Sequence, residues 1–157
     1  MFAWDEPPSG GKEHTDLWKI FVQKAKKGLI KGIPQGKVFT EEEPSGFLAS
    51  RPDGIMYEKG CPKIWFEIET NWWNGLYKVA RYSFVNMRRS KEGCKISDLI
   101  IVAKADWMMD LVKCELRDWL NKMEDIGNFK VRWFIIDLST RKMYELKKCG
   151  ELERIDA

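Results

Sequence analysis

The sequence predicts an α/β (α+β) fold in which a central mixed β-sheet is flanked by helices. Segments with helical apolar spacing alternate along the chain with short runs rich in Ile, Val, Phe and Trp. The chain has 157 residues, of which 44% are hydrophobic, and this is enough to bury one substantial core. Since no internal repeat or linker divides the chain, we expect residues 1–157 to form a single domain.

The amino-terminal part of the chain predicts one helix and three strands. Pro and Gly make residues 1–15 a flexible lead-in. Thr15 or Asp16 can cap a helix that runs to about Leu29, because apolar side chains then recur at helical spacing. Residues 37–40 form a short strand, and a β-hairpin follows after a loop.

The hairpin consists of two runs rich in Ile, Tyr, Trp and Phe, with turn residues at positions 58–62 between them. A turn centred on Gly60 fixes its register. The predicted cross-strand pairs are Tyr57 with Lys63, Ile55 with Trp65, and Asp53 with Glu67. Glu69 points the same way as Glu67, because side chains alternate along a strand. The opposite face is filled by Ile64, Phe66 and Ile68.

The rest of the chain predicts two helices and three strands. Residues 71–90 form the first helix, residues 97–103 a buried strand, and residues 106–125 a helix of mixed charge. A closing hairpin joins residues 130–138 to 142–146, and 148–157 is a polar tail. In the helix at 71–90, the predicted core stripe is Leu76, Ala80, Ser83, Phe84 and Met87.

Asp53, Glu67 and Glu69 are the candidate site because the predicted register brings three like charges together. Such an arrangement needs either full solvation or a cation. Mg²⁺ is bound in proteins by a few carboxylates together with waters and substrate phosphates. The alternatives are that Glu67 and Glu69 lie on the solvated face of a half-buried sheet and that Asp53 only makes a Pro-Asp-Gly turn.

Pro52-Asp53, a hairpin, and then Glu67-Ile68-Glu69 on an apolar strand followed by a helix resemble the PD-(D/E)xK nucleases, which include type II restriction enzymes and Holliday-junction resolvases. The resemblance implies a restriction-endonuclease-like αβββαβ core, here with an added helix and a carboxyl-terminal hairpin. It also implies that Asp53 and Glu67 hold Mg²⁺ or Mn²⁺. The chain is similar in length and general character to a small nuclease encoded by filamentous viruses (lipothrixviruses) of hyperthermophilic archaea.

The third motif position is Glu69, where the family normally has Lys. Glu69 could orient the attacking water or bind a second metal ion. A lysine displaced to the following helix, Lys78, is the alternative. The resemblance thus implies a catalytic set of Asp53, Glu67, Glu69 and Lys78, with the three carboxylates as candidate metal ligands.

Charge alternates along the chain in blocks. Residues 17–37 carry six lysines and no acid, residues 38–70 are acidic, and residues 71–104 are basic again. Basic segments on both sides of an acidic strand pair suit a protein that holds DNA, because Lys and Arg make most phosphate contacts. The candidate nucleic-acid contacts are Lys24, Lys27, Arg81, Arg88, Arg89 and Lys91. The alternative is that these residues only solvate helix faces.

The cysteines, the single histidine and the lack of a long apolar run limit the kinds of metal site and the cellular location that we expect. The four cysteines lie far apart and cannot form a zinc site, so buried free thiols are favoured, with disulfides as the alternative known from hyperthermophiles. A single histidine, His14, excludes His-based metal sites and HNH-type chemistry. Without a membrane-spanning run or signal peptide, we expect an intracellular protein, in the host cytoplasm if viral, with no membrane partner.

The expected function is therefore a metal-dependent endodeoxyribonuclease that hydrolyses phosphodiester bonds, with double-stranded DNA as its partner. One alternative is a non-catalytic basic DNA-binding or packaging protein. Another is a virion or partner-binding protein without affinity for nucleic acid. Many members of the family are dimers, which makes a homodimer an option, although the sequence shows no apolar stripe in excess of the core.

Overall fold

The structure is a computed structural model that describes residues 1–47, 50–89 and 93–156. Within these residues eight strands form one mixed sheet, flanked by helices. The strands are β1 (Phe2–Ala3), β2 (Gly36–Thr40), β3 (Gly54–Glu58), β4 (Cys61–Glu69), β5 (Asp98–Lys104), β6 (Lys130–Asp137), β7 (Lys142–Leu146) and β8 (Leu152–Ile155). The helices are α1 (Lys12–Lys26), α2 (Trp72–Arg88), α3 (Trp107–Leu111) and α4 (Lys113–Gly127), with a 3₁₀ turn at Lys148–Gly150.

The strands lie in the sheet in chain order, from β1 at one edge to β8 at the other. The central strands β4, β5 and β6 are parallel, and antiparallel hairpins flank them. Parallel neighbours require crossover connections. Here α2 connects β4 to β5, and α3 with α4 connects β5 to β6, so the carboxyl ends of β4 and β5 lead directly into helices.

Helices cover both faces of the sheet. The central strands are therefore buried on both sides, and most of their side chains are apolar. On one face Phe66 packs against Phe21 of α1, with ring centroids 6.2 Å apart. On the other face Trp65 packs against Tyr82 of α2, with centroids 4.9 Å apart. The predicted alternation along β4 is confirmed, since Ile64, Phe66 and Ile68 lie on the α1 face.

The predicted elements are present, but both ends of the chain are more structured than expected. The lead-in is not a flexible segment, because Phe2 and Trp4 are buried and β1 pairs with β2. The tail contributes β8, which pairs with β7. The helix predicted at 106–125 is two helices with a break at Val112.

The hairpin register agrees with the prediction near the candidate site and departs from it near the turn. Ile55 pairs with Trp65, as predicted, whereas Tyr57 pairs with Pro62 and not with Lys63. The turn has two residues, Lys59 and Gly60, both with positive φ, as expected of a tight hairpin turn. A bulge after Met56 then absorbs the one-residue difference.

Two of the four cysteines are paired. Cys61, at the end of the turn, and Cys94, just before β5, form a disulfide. Cys114 and Cys149 are free and exposed. The expectation of buried free thiols is therefore wrong. Among the helices of the described residues, none has the length and apolar character needed to cross a membrane.

Candidate functional site

Asp53 and Glu67 lie side by side at the open end of the β3–β4 hairpin. The Asp53 backbone N–H donates to Glu67 Oε1 at 3.4 Å, and the Ile68 N–H donates to Asp53 Oδ2 at 2.7 Å. The sequence placed these residues opposite each other, and the structure confirms that they are neighbours. Glu69 follows two residues later, so it lies on the same face of β4 as Glu67.

Both glutamates are buried, with Glu67 1% and Glu69 7% exposed. The interpretation of this pair as the solvated face of a half-buried sheet is therefore wrong. Helix α2 covers this face of the sheet, because it follows β4 directly and packs back against β4 and β5. Carboxylates are seldom this buried unless a partner compensates their charge.

Helix α2 is rotated relative to the sequence prediction. Its buried side includes Gly75, Val79, Tyr82 and Asn86, which recur at helical spacing. Phe84 and Met87, predicted for the core, are about half exposed. The outer side also carries Trp73 and Tyr77, so an apolar stripe in excess of the core does exist. The residues of this exposed stripe are Trp73, Tyr77, Phe84 and Met87.

Lys78 is the cation that α2 brings to the acids. Its Nζ lies 3.2 Å from Glu67 Oε1 and 3.3 Å from Glu69 Oε1. Burial alone would lower the pKa of Lys78, but the two carboxylates outweigh burial and raise its pKa, so the side chain stays charged. The expectation that Lys78 leans from the following helix toward the acids is confirmed.

Tyr82, one turn after Lys78 on α2, is a second partner of Glu67. Its hydroxyl donates to Glu67 Oε2 at 2.5 Å, and its pKa is raised by burial and by the nearby carboxylate. Burial raises the pKa of Glu67 to about 7, although Lys78 acts in the opposite direction. Burial also raises the pKa of Glu69. The carboxylates are therefore incompletely compensated, which is a feature of functional sites.

His14 is a site residue that the sequence did not predict. Helix α1 begins near the carboxyl end of β5, where Glu13 accepts from Lys104 at 2.7 Å. From this position His14 Nε2 reaches Asp53 Oδ2 at 3.3 Å. Hydrogen bonding to Asp53 raises the pKa of His14. A lone histidine in a polar stretch gives no pattern to detect, and only the tertiary fold reveals the contact.

The metal ligands predicted from the sequence are only partly assembled. Among the described residues, no group of three or more Asp, Glu, His or Cys side chains is placed to hold one metal ion. The three-carboxylate set is therefore not formed, and Lys78 contacts both Glu67 and Glu69. Asp53 and Glu67 are the two carboxylates whose residues are joined by a hydrogen bond. Two neighbouring carboxylates suit Mg²⁺, which takes one or two carboxylates and completes its shell with water and phosphate.

The predicted nucleic-acid contacts do not form one surface. Arg81 and Arg88 lie on α2, with Arg88 exposed. Lys24 and Lys27 belong to the end of α1, across the sheet, where they line a separate cavity with Arg141, Lys142 and Arg154. Arg89 is partly buried, donates to the carbonyl oxygens of Gly46 and Cys94, and stacks over Phe47. It therefore holds loops together. Lys91 lies outside the described residues.

Comparison with protein-family models, with curated proteins and with solved structures gave no match.

Proposed function

We propose that the protein is a divalent-metal-dependent nuclease that hydrolyses phosphodiester bonds in DNA. The observation that carries this proposal is the convergence of Asp53, Glu67, Glu69 and Lys78, with both glutamates buried beneath α2. An ordinary surface cluster would be solvated. A buried cluster in which a glutamate pKa is raised lowers the stability of the fold. Because such a cost is typical of functional sites, it favours a catalytic role for the cluster.

The order of the elements supports the same proposal. From α1 through β2, β3, β4 and α2 to β5, the chain follows the αβββαβ order that the PD-(D/E)xK resemblance implies. Asp53 precedes β3 and Glu67 lies on β4. These places correspond to those of the two metal-binding acids in the PD-(D/E)xK motif. We therefore propose a restriction-endonuclease-like core, to which β1, α3, α4 and the β6–β8 strands are added.

In the proposed site Asp53 and Glu67 bind Mg²⁺ or Mn²⁺. When bound, the ion would lower the pKa of a water ligand and offset charge on the phosphate. The Tyr82 hydroxyl fixes the orientation of Glu67. Lys78 holds Glu69 and supplies positive charge beside the carboxylates, as the lysine of the family motif would. Glu69, with its raised pKa, can accept a proton from the attacking water.

The test is cleavage of linear and circular duplex DNA by the purified chain with Mg²⁺, with and without EDTA. We expect cleavage that EDTA stops and that Asp53→Asn and Glu69→Gln each reduce by about 100-fold or more. Glu153→Gln, which removes an exposed acid from β8 at the far edge of the sheet, is the matched control and should cleave normally.

Circular dichroism and gel retardation should show that the Asp53 and Glu69 variants still fold and still bind DNA. Full cleavage by both variants would end the proposal. Salt-sensitive DNA retention without cleavage under any metal would instead identify a non-catalytic DNA-binding protein.

A further inference from the structure

A small cavity lies next to the carboxylate cluster, between α2 and the segment that leads into β3. Its volume is about 140 Å³. The lining residues are Ser50, Arg51, Tyr77, Lys78, Arg81 and Tyr82. Lys78 and Tyr82 also contact Glu67, so these two side chains form a wall shared by the cavity and the acid cluster.

The lining of this cavity is suited to an anion. Among the six described residues that line it, three are cations, the other three carry hydroxyl groups, and none is a carboxylate. Arginine guanidinium groups and hydroxyl donors are the groups that proteins use to hold phosphate oxygens. Lys78 is paired with Glu67 and Glu69, and Arg51 Nη2 lies 3.9 Å from Glu41 Oε2, but these carboxylates are not among the described residues that line the cavity.

Ser50 supplies an independent indication of a ligand. Its side chain is buried, with the residue 3% exposed, and its hydroxyl has no hydrogen-bond partner among the described residues. A buried polar group without a partner destabilises the fold. A ligand oxygen in the cavity would remove this penalty, because a serine hydroxyl can donate to a phosphate oxygen.

The arginines are already oriented by protein contacts. Arg51 Nε donates to the Glu41 carbonyl oxygen at 3.1 Å, and Arg81 Nη1 donates to the Tyr77 hydroxyl at 3.3 Å. A guanidinium group has five N–H donors. Arg51 Nη2 also lies 3.9 Å from Glu41 Oε2. These contacts leave Arg51 with donors for a ligand, and less side-chain entropy is lost when the ligand binds.

Size limits what the cavity can hold. A volume of about 140 Å³ is well below the roughly 300 Å³ at which pockets for drug-sized ligands begin. One phosphate group fits this space, whereas a nucleoside does not. The position beside the acid cluster then limits the source of the phosphate, because a nucleic-acid strand at Asp53 and Glu67 places its next phosphate nearby.

We propose that the cavity formed by Ser50, Arg51 and Arg81 binds one phosphodiester group of the nucleic-acid backbone, adjacent to the phosphate held at the carboxylates. This inference rests on the proposed function for the identity of the bound strand. The site sets the position of the strand along the protein and does not read its sequence.

The direct test is nuclear magnetic resonance of the ¹⁵N-labelled full chain, with two probes at constant ionic strength. One probe is inorganic phosphate, and the other is a short DNA duplex with hydroxyl ends. Both should cause saturable shifts of the Ser50 and Arg81 backbone amide signals. Arg81→Gln should weaken both interactions about tenfold, and Ser50→Ala should weaken them several-fold. Arg154→Gln, on β8, is the matched control and should change neither.

The outcomes separate this inference from the proposed function. Shifts caused by inorganic phosphate but not by the duplex would identify a free-phosphate site and overturn the assignment. Signal shifts only at other residues, or no shifts at all, would show that the cavity does not bind phosphate. Duplex binding at Ser50 and Arg81 without any cleavage would support the phosphate site and contradict the proposed nuclease activity. Cleavage with unchanged KM and kcat in both variants would contradict the phosphate site and support the nuclease activity.

Discussion

At the level of single residues, Glu67 and Glu145 show that two buried glutamates can serve opposite purposes. Both are almost fully buried. Burial opposes the charge of Glu145, but Arg132 outweighs burial with two hydrogen bonds of 2.8 and 2.7 Å, so the pKa of Glu145 is lowered. Glu67 is contacted by Lys78, by the Tyr82 hydroxyl and by the Asp53 backbone N–H, yet burial raises its pKa to about 7. Glu145 therefore forms a stabilising ion pair with Arg132, whereas burial in the folded protein disfavours the charged form of Glu67.

This contrast predicts opposite pH dependences of stability. Between its ordinary pKa of 4.5 and about 7, Glu67 binds more protons in the folded than in the unfolded chain, so the free energy of unfolding falls as the pH rises through this window. Glu67→Gln removes that loss. In EDTA, the variant should gain stability relative to the unaltered chain between pH 5 and pH 8, by up to about 3 kcal/mol.

Glu145→Gln is the matched control because it neutralises a glutamate of similar burial. Its lowered pKa means that the charge stabilises the fold above pH 4.5 and that this contribution is lost as the pH falls. The variant should be less stable than the unaltered chain at pH 8. Chemical denaturation at both pH values measures each difference. A Glu67→Gln variant that loses stability at pH 8 as Glu145→Gln does would show that Glu67 is a structural ion pair.

At the level of elements, the positions of helices and central strands were predictable because their apolar periodicity is strong. The orientation of α2 was not. The prediction placed Phe84 and Met87 in the core, yet Tyr82 and the Lys78 ammonium group face the sheet. Periodicity assumes that apolar residues face inward, and this assumption fails where a helix must compensate buried acids. Such local failures are expected at functional sites.

Short elements and isolated contacts also escaped prediction. Strand β1 has two residues, too few for an alternating pattern, and its place is fixed by pairing with β2. His14 contacts Asp53 across 39 positions of the chain, which no local pattern encodes. By contrast, the proximity of Asp53 and Glu67 was predictable, because it depends only on the register of one hairpin.

The close approach of α2 to the sheet at Gly75 can be tested directly. A Cβ atom at this position would lie 2.8 Å from Trp133 and 3.3 Å from Ile101, both fully buried. Alanine improves helix propensity by about 1 kcal/mol over glycine. Overpacking a rigid core costs about 1–3 kcal/mol. Since the clash exceeds the gain, Gly75→Ala should lower the free energy of unfolding and shift Lys78 away from Glu67.

Thermal unfolding and DNA cleavage of Gly75→Ala measure the two effects. Gly93→Ala is the control, because a Cβ atom there meets none of the described residues within 4 Å. If Gly75→Ala were more stable than the unaltered chain and equally active, α2 would not be held against the sheet as described.

At the level of the whole molecule, the sheet lies between two regions rich in Lys and Arg, so that they are on opposite faces. Arg81 and Arg88 lie on α2, which covers the face that carries Glu67 and Glu69. Lys24 and Lys27 lie at the end of α1, on the opposite face. The alternation of charge along the sequence suggested one binding surface around the acids. Of these two regions, the fold leaves the α2 region beside the acids.

A duplex bound at the acid cluster should therefore contact α2 and not the end of α1. The paired variants Arg81→Gln/Arg88→Gln and Lys24→Gln/Lys27→Gln each remove two positive charges, so their effect on net charge is the same. Each lost phosphate contact lowers the slope of log binding constant against log salt by about 1. We expect the α2 pair to lower this slope by about 2 and the α1 pair to leave it nearly unchanged. Fluorescence anisotropy with a labelled duplex, between 50 and 200 mM salt, measures both. Equal losses in the two variants would mean that binding follows net charge alone, and a larger loss in the α1 pair would place the duplex on the face away from the carboxylates.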